Sequence, residues 1–360
     1  MRELGREDFD AWAALQDADP ALASPFFCPE YAAAVARVRE DVQVAIIERD
    51  GERVGFFPFQ KAAFSAGHPV GGPLSDCHGF IMRRGLDWEP RRIVRACGLA
   101  EWRFDHLPVA QAPCAPHHRG VAHSPVMDLS RGYERYAADR RAAGSEQIPK
   151  TAGLLRKLER EHGPVRFEFH APDARSLQTL VSWKSAQYRA CGKLDIFGIP
   201  WVAKVVETMH ATRGPNFAGV LSALWLGERL IAAHMGLRSK TVWHYWFPAY
   251  DPAYARYSPG LILLLKMAEH AASEGLATID LGLGRALYKQ RLMSGSIALA
   301  EGSVIASPVR AALADLRARS EGWLRRSPLF ESARRVRRVL SEIGGRLPIL
   351  QRLKNIRRFR

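Results

Sequence analysis

The sequence predicts a mixed α/β (α+β) fold: two related lobes of mixed, mainly antiparallel sheet flanked by helices, with a basic helical tail behind them. Three observations carry this. Short apolar strands come in hairpin pairs in both halves, helical stretches separate them, and positive charge collects near the C-terminal end.

In the first half, "VQVAIIERDGERVGFFPFQ" is a hairpin turning on Asp50-Gly51, a pair that accepts the positive φ angles of a tight hairpin turn. A Gly-rich stretch, "GHPVGGPLSDCHGF", leads to a helix around Glu89–Leu99 and then to the strand "EWRFDHLPV". These make a first lobe over residues 1–131, joined through a helical linker region, 132–163, to a second lobe, 164–307. In that lobe "VRFEFHA" reads as a strand, and "SLQTLVSWKSAQYRACG" and "IPWVAKVVETMHA" as amphipathic helices. A meander follows: "GVLSALWL", a turn at Gly227-Glu228, "RLIAAHMGLR", a turn at Ser239-Lys240, and the aromatic strand "TVWHYWFPAY". The segment Leu261–Ala272 is too long for a buried strand and rich in helix formers; Gly275 stops it, and "LATIDLG" returns as a strand. From Val165 to Leu283 the order is β-α-α-β-β-β-α-β.

At 360 residues with 47% hydrophobic content the chain can bury a sizeable core. Its five cysteines (Cys28, Cys77, Cys97, Cys114, Cys191) are scattered, which argues against a disulfide framework or a structural zinc site, and no metal is expected. The charged N-terminus has no apolar leader, and apolar runs such as Leu261–Leu265 are far short of the roughly 18 residues of a membrane span. A cytoplasmic protein is expected. The net charge of +15 suggests nucleic acid until it is located: residues 309–360 hold fifteen Arg or Lys against four acidic residues, so the tail carries +11 and the body only +4. In this tail (308–360) Phe330, Ala333, Val336, Leu340 and Ile343 recur at helical spacing among arginines. Such a basic amphipathic segment suits peripheral attachment to an anionic membrane or an acidic protein partner; with few aromatics for base stacking, nucleic acid ranks last.

Candidate chemistry concentrates in the second lobe. In "YSPGLILL", Ser258 is a favoured N-cap, Pro259 fits the first helical turn, and Gly260 leaves the free N–H groups unobstructed, so this helix start suits a phosphate; a simple well-capped helix is the alternative. Asp280 ends a strand, where it accepts a proton, orients an acceptor or caps the following turn. Tyr288 and Lys289 lie just beyond a Gly-rich turn, and Lys289 can meet a phosphate or oxyanion or stand exposed. With a two-residue turn at Ser239-Lys240, His234 faces Tyr245 and His244 faces Met235 on the other side of the sheet. No two-His metal site results; each histidine is a general-base candidate or a satisfied core residue, and His234 is the preferred base. In "LSDCHG", Asp76 and His78 suit substrate contacts better than Cys77 suits covalent catalysis.

"AYDPAYARYSPGLILL" followed by "IDLGLGRALYK" resembles the acetyltransferases of the cellulose-biosynthesis type (CelD/BcsL) within the GNAT superfamily, as do "SPFFCPEYAAAV" and "GGPLSDCHGFI" near the N-terminus. The likeness spans roughly Ser24 to Gly302; the closely spaced glycines of the usual GNAT pyrophosphate loop are absent, and only Gly260 stands there. The resemblance implies two GNAT-like lobes and acetyl-CoA or another acyl-CoA as co-substrate. It also implies acyl transfer to a hydroxyl or amine of a sugar or polysaccharide precursor. The site would then comprise Asp280, His234 and Lys289 as catalytic groups and Ser258, Pro259, Gly260 and Tyr288 at the cofactor. Asp76, His78, Tyr245 and Arg285 would contact substrate. An aminoacyl-tRNA donor, as in the related Fem-type double transferases, and a non-catalytic assembly factor built on a degenerate lobe are the alternatives.

Overall fold

The computed structural model describes residue 1 and residues 3–307 of the chain, so the expected basic tail, 308–360, lies outside the described residues. Residues 1–304 form one compact unit.

The N-terminal region contributes α1 (Arg6–Asp17), α2 (Pro29–Ala36), β1 (Val42–Arg49), β2 (Glu52–Lys61), β3 (Ala66–His68), β4 (Ile81–Met82), α3 (Pro90–Ala96), β5 (Glu101–Pro108) and β6 (His118–Asp128). Two helices follow, α4 (Tyr133–Ala142) and α5 (Gln147–His162). Then come β7 (Val165–Glu168), α6 (Ala174–Ala190), α7 (Pro200–Ala211), β8 (Ala218–Leu226), β9 (Arg229–Arg238), β10 (Val242–Tyr250), α8 (Pro259–Ser273), β11 (Thr278–Asp280), α9 (Leu287–Leu292) and β12 (Gly295–Ile305). The β-α-α-β-β-β-α-β order read from the second half is thus present from β7 to β11. The β1–β2 hairpin turns on Asp50 (φ 54°) and Gly51 (φ 79°), the two positive φ angles of a tight hairpin. Gly275 (φ 77°) takes the left-handed position just past α8. Among the described residues no helix is long and apolar enough to cross a membrane.

One sheet runs through both of the expected lobes. Among the described residues it has 12 strands, and its main path runs β1-β2-β3-β5-β12-β6-β11-β10-β9-β8-β7. The strand β6 lies between β12 and β11 and pairs antiparallel with both. The boundary expected near residue 131 therefore does not interrupt the sheet. What joins the halves is an exchange of neighbours: β6 of the first half lies beside β11, and β12 of the second half lies between β6 and β5.

Central strands are buried on both faces. One face of β8–β10 carries Leu221, Ala233, Met235, Leu237, Trp246 and Phe247 against Val202, Val205 and Met209 of α7 and Phe26, Phe27 and Val35 of the N-terminal region. The other carries Val220, Ile231, Trp243 and Tyr245 against Ile262, Leu263, Met267 and Ala271 of α8. Each of the Val, Leu, Ile, Phe and Met side chains among these contributes on the order of 1.5–3 kcal/mol by burial, so both helical layers are fixed firmly to the strands that hold the site.

The β9–β10 hairpin corrects the expected register. Ser239 and Val242 close the turn, with the Ser239 N–H donating to the Val242 carbonyl at 2.8 Å, and Ser239 Oγ accepting from the Val242 N–H at 3.0 Å. The serine hydroxyl captures the turn backbone and moves the reversal to Lys240-Thr241. A bulge between His244 and Phe247 then shifts the pairing again, so His244 opposes Leu237 and His234 opposes Pro248.

Candidate active site

The strands β10 and β11 run parallel for three residues, and their pairing ends at His244 opposite Asp280. His244 is fully buried, edge-on to Phe26 with ring centroids 5.0 Å apart. Both ring nitrogens meet carboxylates: Nδ1 stands 3.2 Å from Asp280 Oδ2, and Nε2 stands 2.9 Å from Asp76 Oδ2. Asp280 is itself held by the Ser124 hydroxyl at 2.5 Å and by the Gly282 N–H at 2.9 Å, both donating to Oδ1. Ser124 comes from β6, so the sheet exchange described above delivers one of the carboxylate's partners.

Electrostatically, burial alone would push the His244 imidazole toward neutrality. The adjacent Asp280, and then Asp76, overcome that and raise it to about 9. Burial likewise works to raise Asp280, and the charged His244 together with the donated hydrogen bonds hold it below the usual carboxylate range. At neutral pH the group is an imidazolium clamped between two carboxylates. Asp280 is closed off at 4% exposure, whereas the Asp76 side chain is 31% exposed. Only Asp76 presents the relay to a bound molecule.

Asp76 sits on a loop fixed by its neighbour His78. The buried His78 Nε2 accepts from the N–H groups of Asp105 (3.2 Å) and His106 (3.1 Å), and Nδ1 lies 3.2 Å from Ser75 Oγ. Burial holds this ring neutral, lowering it to about 3 against the opposing pull of Asp105. His78 therefore braces the Asp76 loop against β5 and does not itself face the cleft. Cys77 is buried and its thiol is pushed upward by burial, which leaves little thiolate for nucleophilic chemistry.

Two glycines make this packing possible. A Cβ on Gly236 would stand 2.3 Å from His234 Cε1 and 2.5 Å from the His244 carbonyl oxygen. Gly282 (φ 71°) takes a left-handed turn that lays its Cα against both the His244 ring and Lys289: a Cβ there would be 3.6 Å from His244 Cε1 and 3.9 Å from Lys289 Nζ. Lys289 donates to the carbonyls of Gly282 and Leu283, each at 3.0 Å, and burial lowers its pKa against the pull of Asp280 and Asp76.

The other expected residues fall elsewhere. His234 is fully buried on the α8 side of the sheet, its ring stacked on Tyr245 at 4.4 Å, its Nε2 accepting the Trp246 N–H of the bulge at 3.0 Å. Burial holds it neutral, and it does not join His244 in the cleft. Tyr245 is buried with it. Tyr288 packs at the edge of the α8 core, its phenol raised to about 12 by burial, and Arg285 is exposed. Ser258 stands at the start of α8 but makes no side-chain cap; it adopts a left-handed conformation (φ 53°), so its hydroxyl does not reach the helix N–H groups as a capping serine would. Pro259 and Gly260 open the helix, and a Gly260 Cβ would meet Tyr250, the last residue of β10, at 3.4 Å. Ser124 carries no signal of its role in the sequence, since it lies in "VAHSPVMD", whose proline conceals a strand. Among the described residues no group of three or more His, Cys, Asp or Glu is placed to hold a metal.

Residues 150–290 match the family model of an acetyltransferase (GNAT) domain. No curated protein sequence matches the chain. Among solved structures, FemX is similar with a TM-score of 0.57 at 12% identity, over 84% of this chain and 98% of its own. The C-terminal domain (DUF2156) of a candidate lysylphosphatidylglycerol synthetase from Agrobacterium fabrum gives 0.53 at 12% identity, over 87% and 95%. A conserved protein of unknown function from Bacteroides thetaiotaomicron gives 0.51 at 10% identity, over 83% and 98%. At these identities the likeness is one of fold. The match is to the GNAT domain at large and does not single out the cellulose-biosynthesis type. Residues 150–290 thus make a GNAT-like acetyltransferase domain, an acyl-transferring enzyme by that match, and the solved structures add the likeness of fold.

Proposed function

We propose that the chain transfers an acyl group from acyl-coenzyme A to an amine or hydroxyl of a sugar or polysaccharide precursor, in the manner of the cellulose-biosynthesis type. One observation carries the reading: a part-exposed carboxylate, Asp76, stands on a buried His244–Asp280 pair where β10 and β11 part. Because the imidazole is already protonated near neutral pH, it is not the proton acceptor; it orients Asp76 and offsets its charge. Asp76 takes the proton from the attacking amine or hydroxyl as the new bond forms at the thioester carbon. The C–S bond then breaks, and the proton passes to the departing thiolate. Lys289, with one N–H left beyond its two carbonyl partners, stabilises the oxygen that becomes negative.

The donor would enter with its pyrophosphate at the N-terminus of α8, whose free N–H groups and dipole favour an anion. Gly260 neighbours Tyr250, six residues along β10 from His244, a reach of about 20 Å at 3.3 Å per residue. An extended donor arm along the open edge of β10 would bridge the two ends. A second reading, an aminoacyl-tRNA donor, draws support from the likeness to FemX and the +11 of residues 309–360. A thermal-shift panel of coenzyme A, acetyl-coenzyme A and tRNA separates them. Stabilisation by acetyl-coenzyme A, with thiol release on adding glucosamine, supports the first. Stabilisation by tRNA alone overturns it.

A further inference from the structure

We propose that the cavity between the end of α1 and the β9–β10 turn binds a small organic cation, with its ammonium or guanidinium N–H groups seated on Gln16, Glu30 and Asp17. The site is separate from the one over Asp76 and does not depend on the acyl-transfer reading.

The cavity measures about 420 Å³, within the range of pockets that enclose a small metabolite. Its walls come from the last turns of α1, the chain just after it, the first turn of α2 and the reversal at Ser239–Thr241. Thr241 lies three residues ahead of His244, about 10 Å at 3.3 Å per residue. Asp76, His244 and Asp280 are not among the lining residues.

Two acceptor oxygens at this cavity have no donor. Gln16 is 8% exposed, and its Nε2 donates to the carbonyls of Leu22 (3.0 Å) and Ser24 (3.3 Å). Two carbonyl acceptors fix which end of the amide is the NH2 group, so Oε1 is turned away from them. That oxygen accepts no hydrogen bond from the described residues. Glu30, in the first turn of α2, has a buried Oε2 that likewise meets no donor among them. Burying an acceptor without a donor is costly, and more so when the acceptor is a carboxylate.

The charge of the walls points the same way. Asp17, Asp19 and Glu30 line the cavity against a single cation, Lys240, which is paired with Asp17 at the rim. Asp19 spends Oδ1 on the Ala21 N–H at 3.0 Å, which leaves its charge uncompensated. Three carboxylates against one ammonium leave an excess of two negative charges. Ala13 and Pro20 add apolar wall on which a methylene stem can lie. A ligand with N–H donors and positive charge answers both the empty acceptors and the excess charge. A neutral polyol supplies donors only, and an anion is repelled.

The full chain is titrated calorimetrically with 1,4-diaminobutane, 1-amino-4-guanidinobutane and the uncharged 1,4-butanediol. At least one of the two cations should bind roughly tenfold or more tightly than the diol, and the tighter of them tells ammonium from guanidinium. Glu30→Gln keeps the shape of the side chain and removes its charge, so it should weaken the cation by roughly tenfold. Lys240→Met should act in the opposite direction, tightening the cation by about threefold or more, because it removes the competing ammonium and opens Asp17. The Lys240 side chain is 47% exposed, so this variant should melt with wild type and decides the matter if Glu30→Gln lowers the melting temperature. Cations that bind no better than the diol overturn the proposal. So does an affinity indifferent to Glu30→Gln in a chain that melts like wild type, or one that fails to rise in Lys240→Met.

Discussion

Replacing Asp280 with Asn removes the stronger of the two charges that hold the His244 proton. The amide keeps an oxygen for the Ser124 hydroxyl and the Gly282 N–H, so the perturbation is largely one of charge. In the native protein His244 rises from its ordinary 6.5 to about 9. At 1.36 kcal/mol per pKa unit this is worth about 3 kcal/mol of stability. Because the folded state holds this proton more tightly than the unfolded chain, that stabilisation is complete below about pH 6.5 and lost as pH rises through about 9. Breaking a buried ion pair costs about 3–5 kcal/mol when the remaining charge is trapped, but His244 can release its proton, which caps the loss near the lower figure. Asp280→Asn should therefore be about 3 kcal/mol less stable than wild type at pH 6. The gap should narrow steadily toward pH 9.5. Urea unfolding at pH 6, 7.5 and 9.5 measures it, and an NMR titration of the His244 ring should show its apparent pKa falling. A difference that stays constant over this range, or grows with pH, refutes the charged-imidazole account.

Three further outcomes follow from the same geometry. Gly260→Asp should weaken acetyl-coenzyme A binding tenfold or more in calorimetry by setting a carboxylate at the start of α8, whereas Gly260→Ala, adding only a Cβ near Tyr250, should cost far less. His234→Leu leaves the Trp246 N–H buried without its acceptor and should lose about 1–3 kcal/mol in urea unfolding; an unchanged midpoint would show that the bulge does not depend on that ring. A chain ending at Ser307 should keep its turnover on a soluble acceptor but lose flotation with anionic vesicles. Full-length attachment should weaken with salt as the Debye length falls from about 10 Å at 0.1 M to about 3 Å at 1 M.

Local signals in the sequence were enough for the second half. The Asp50-Gly51 and Gly227-Glu228 turns, the Leu-rich stretch of α8 and the stop at Gly275 all act within a few residues of themselves, and each element lies where those signals put it. The site was less legible, because it is built from pairings between elements far apart in sequence, and the β9–β10 hairpin beside it carries two register shifts with no such signature. One is set by the Ser239 hydroxyl and the other by the bulge after His244. Neither shift decides which histidine meets Asp280: the parallel β10–β11 pairing sets His244 beside it, while His234 stacks on Tyr245 on the other face, as the sequence predicts. The partners from the first half were harder still. Ser124 meets Asp280 across 156 residues of sequence, and Asp76 meets His244 across 168. Asp76 stood out by its Gly-rich surroundings, while Ser124 sits beside a proline that hides its strand.

The place of β6 also bears on how the chain comes to be folded. Both of its neighbours, β11 and β12, follow it in the sequence, beginning at Thr278 and Gly295. During synthesis β6 must therefore wait about 150 residues with neither edge hydrogen-bonded to its native partner. An unpaired strand in a nascent chain is an invitation to wrong pairing. The meander β7–β10 can form from contacts close in sequence while β6 waits, offering a ready surface on which β11 and then β6 dock. Enzyme competence thus comes at the end of folding, when the last thirty or so residues of the compact unit close the sheet. A chain interrupted before residue 278 would keep its α8 layer and present β6 and β10 as open edges.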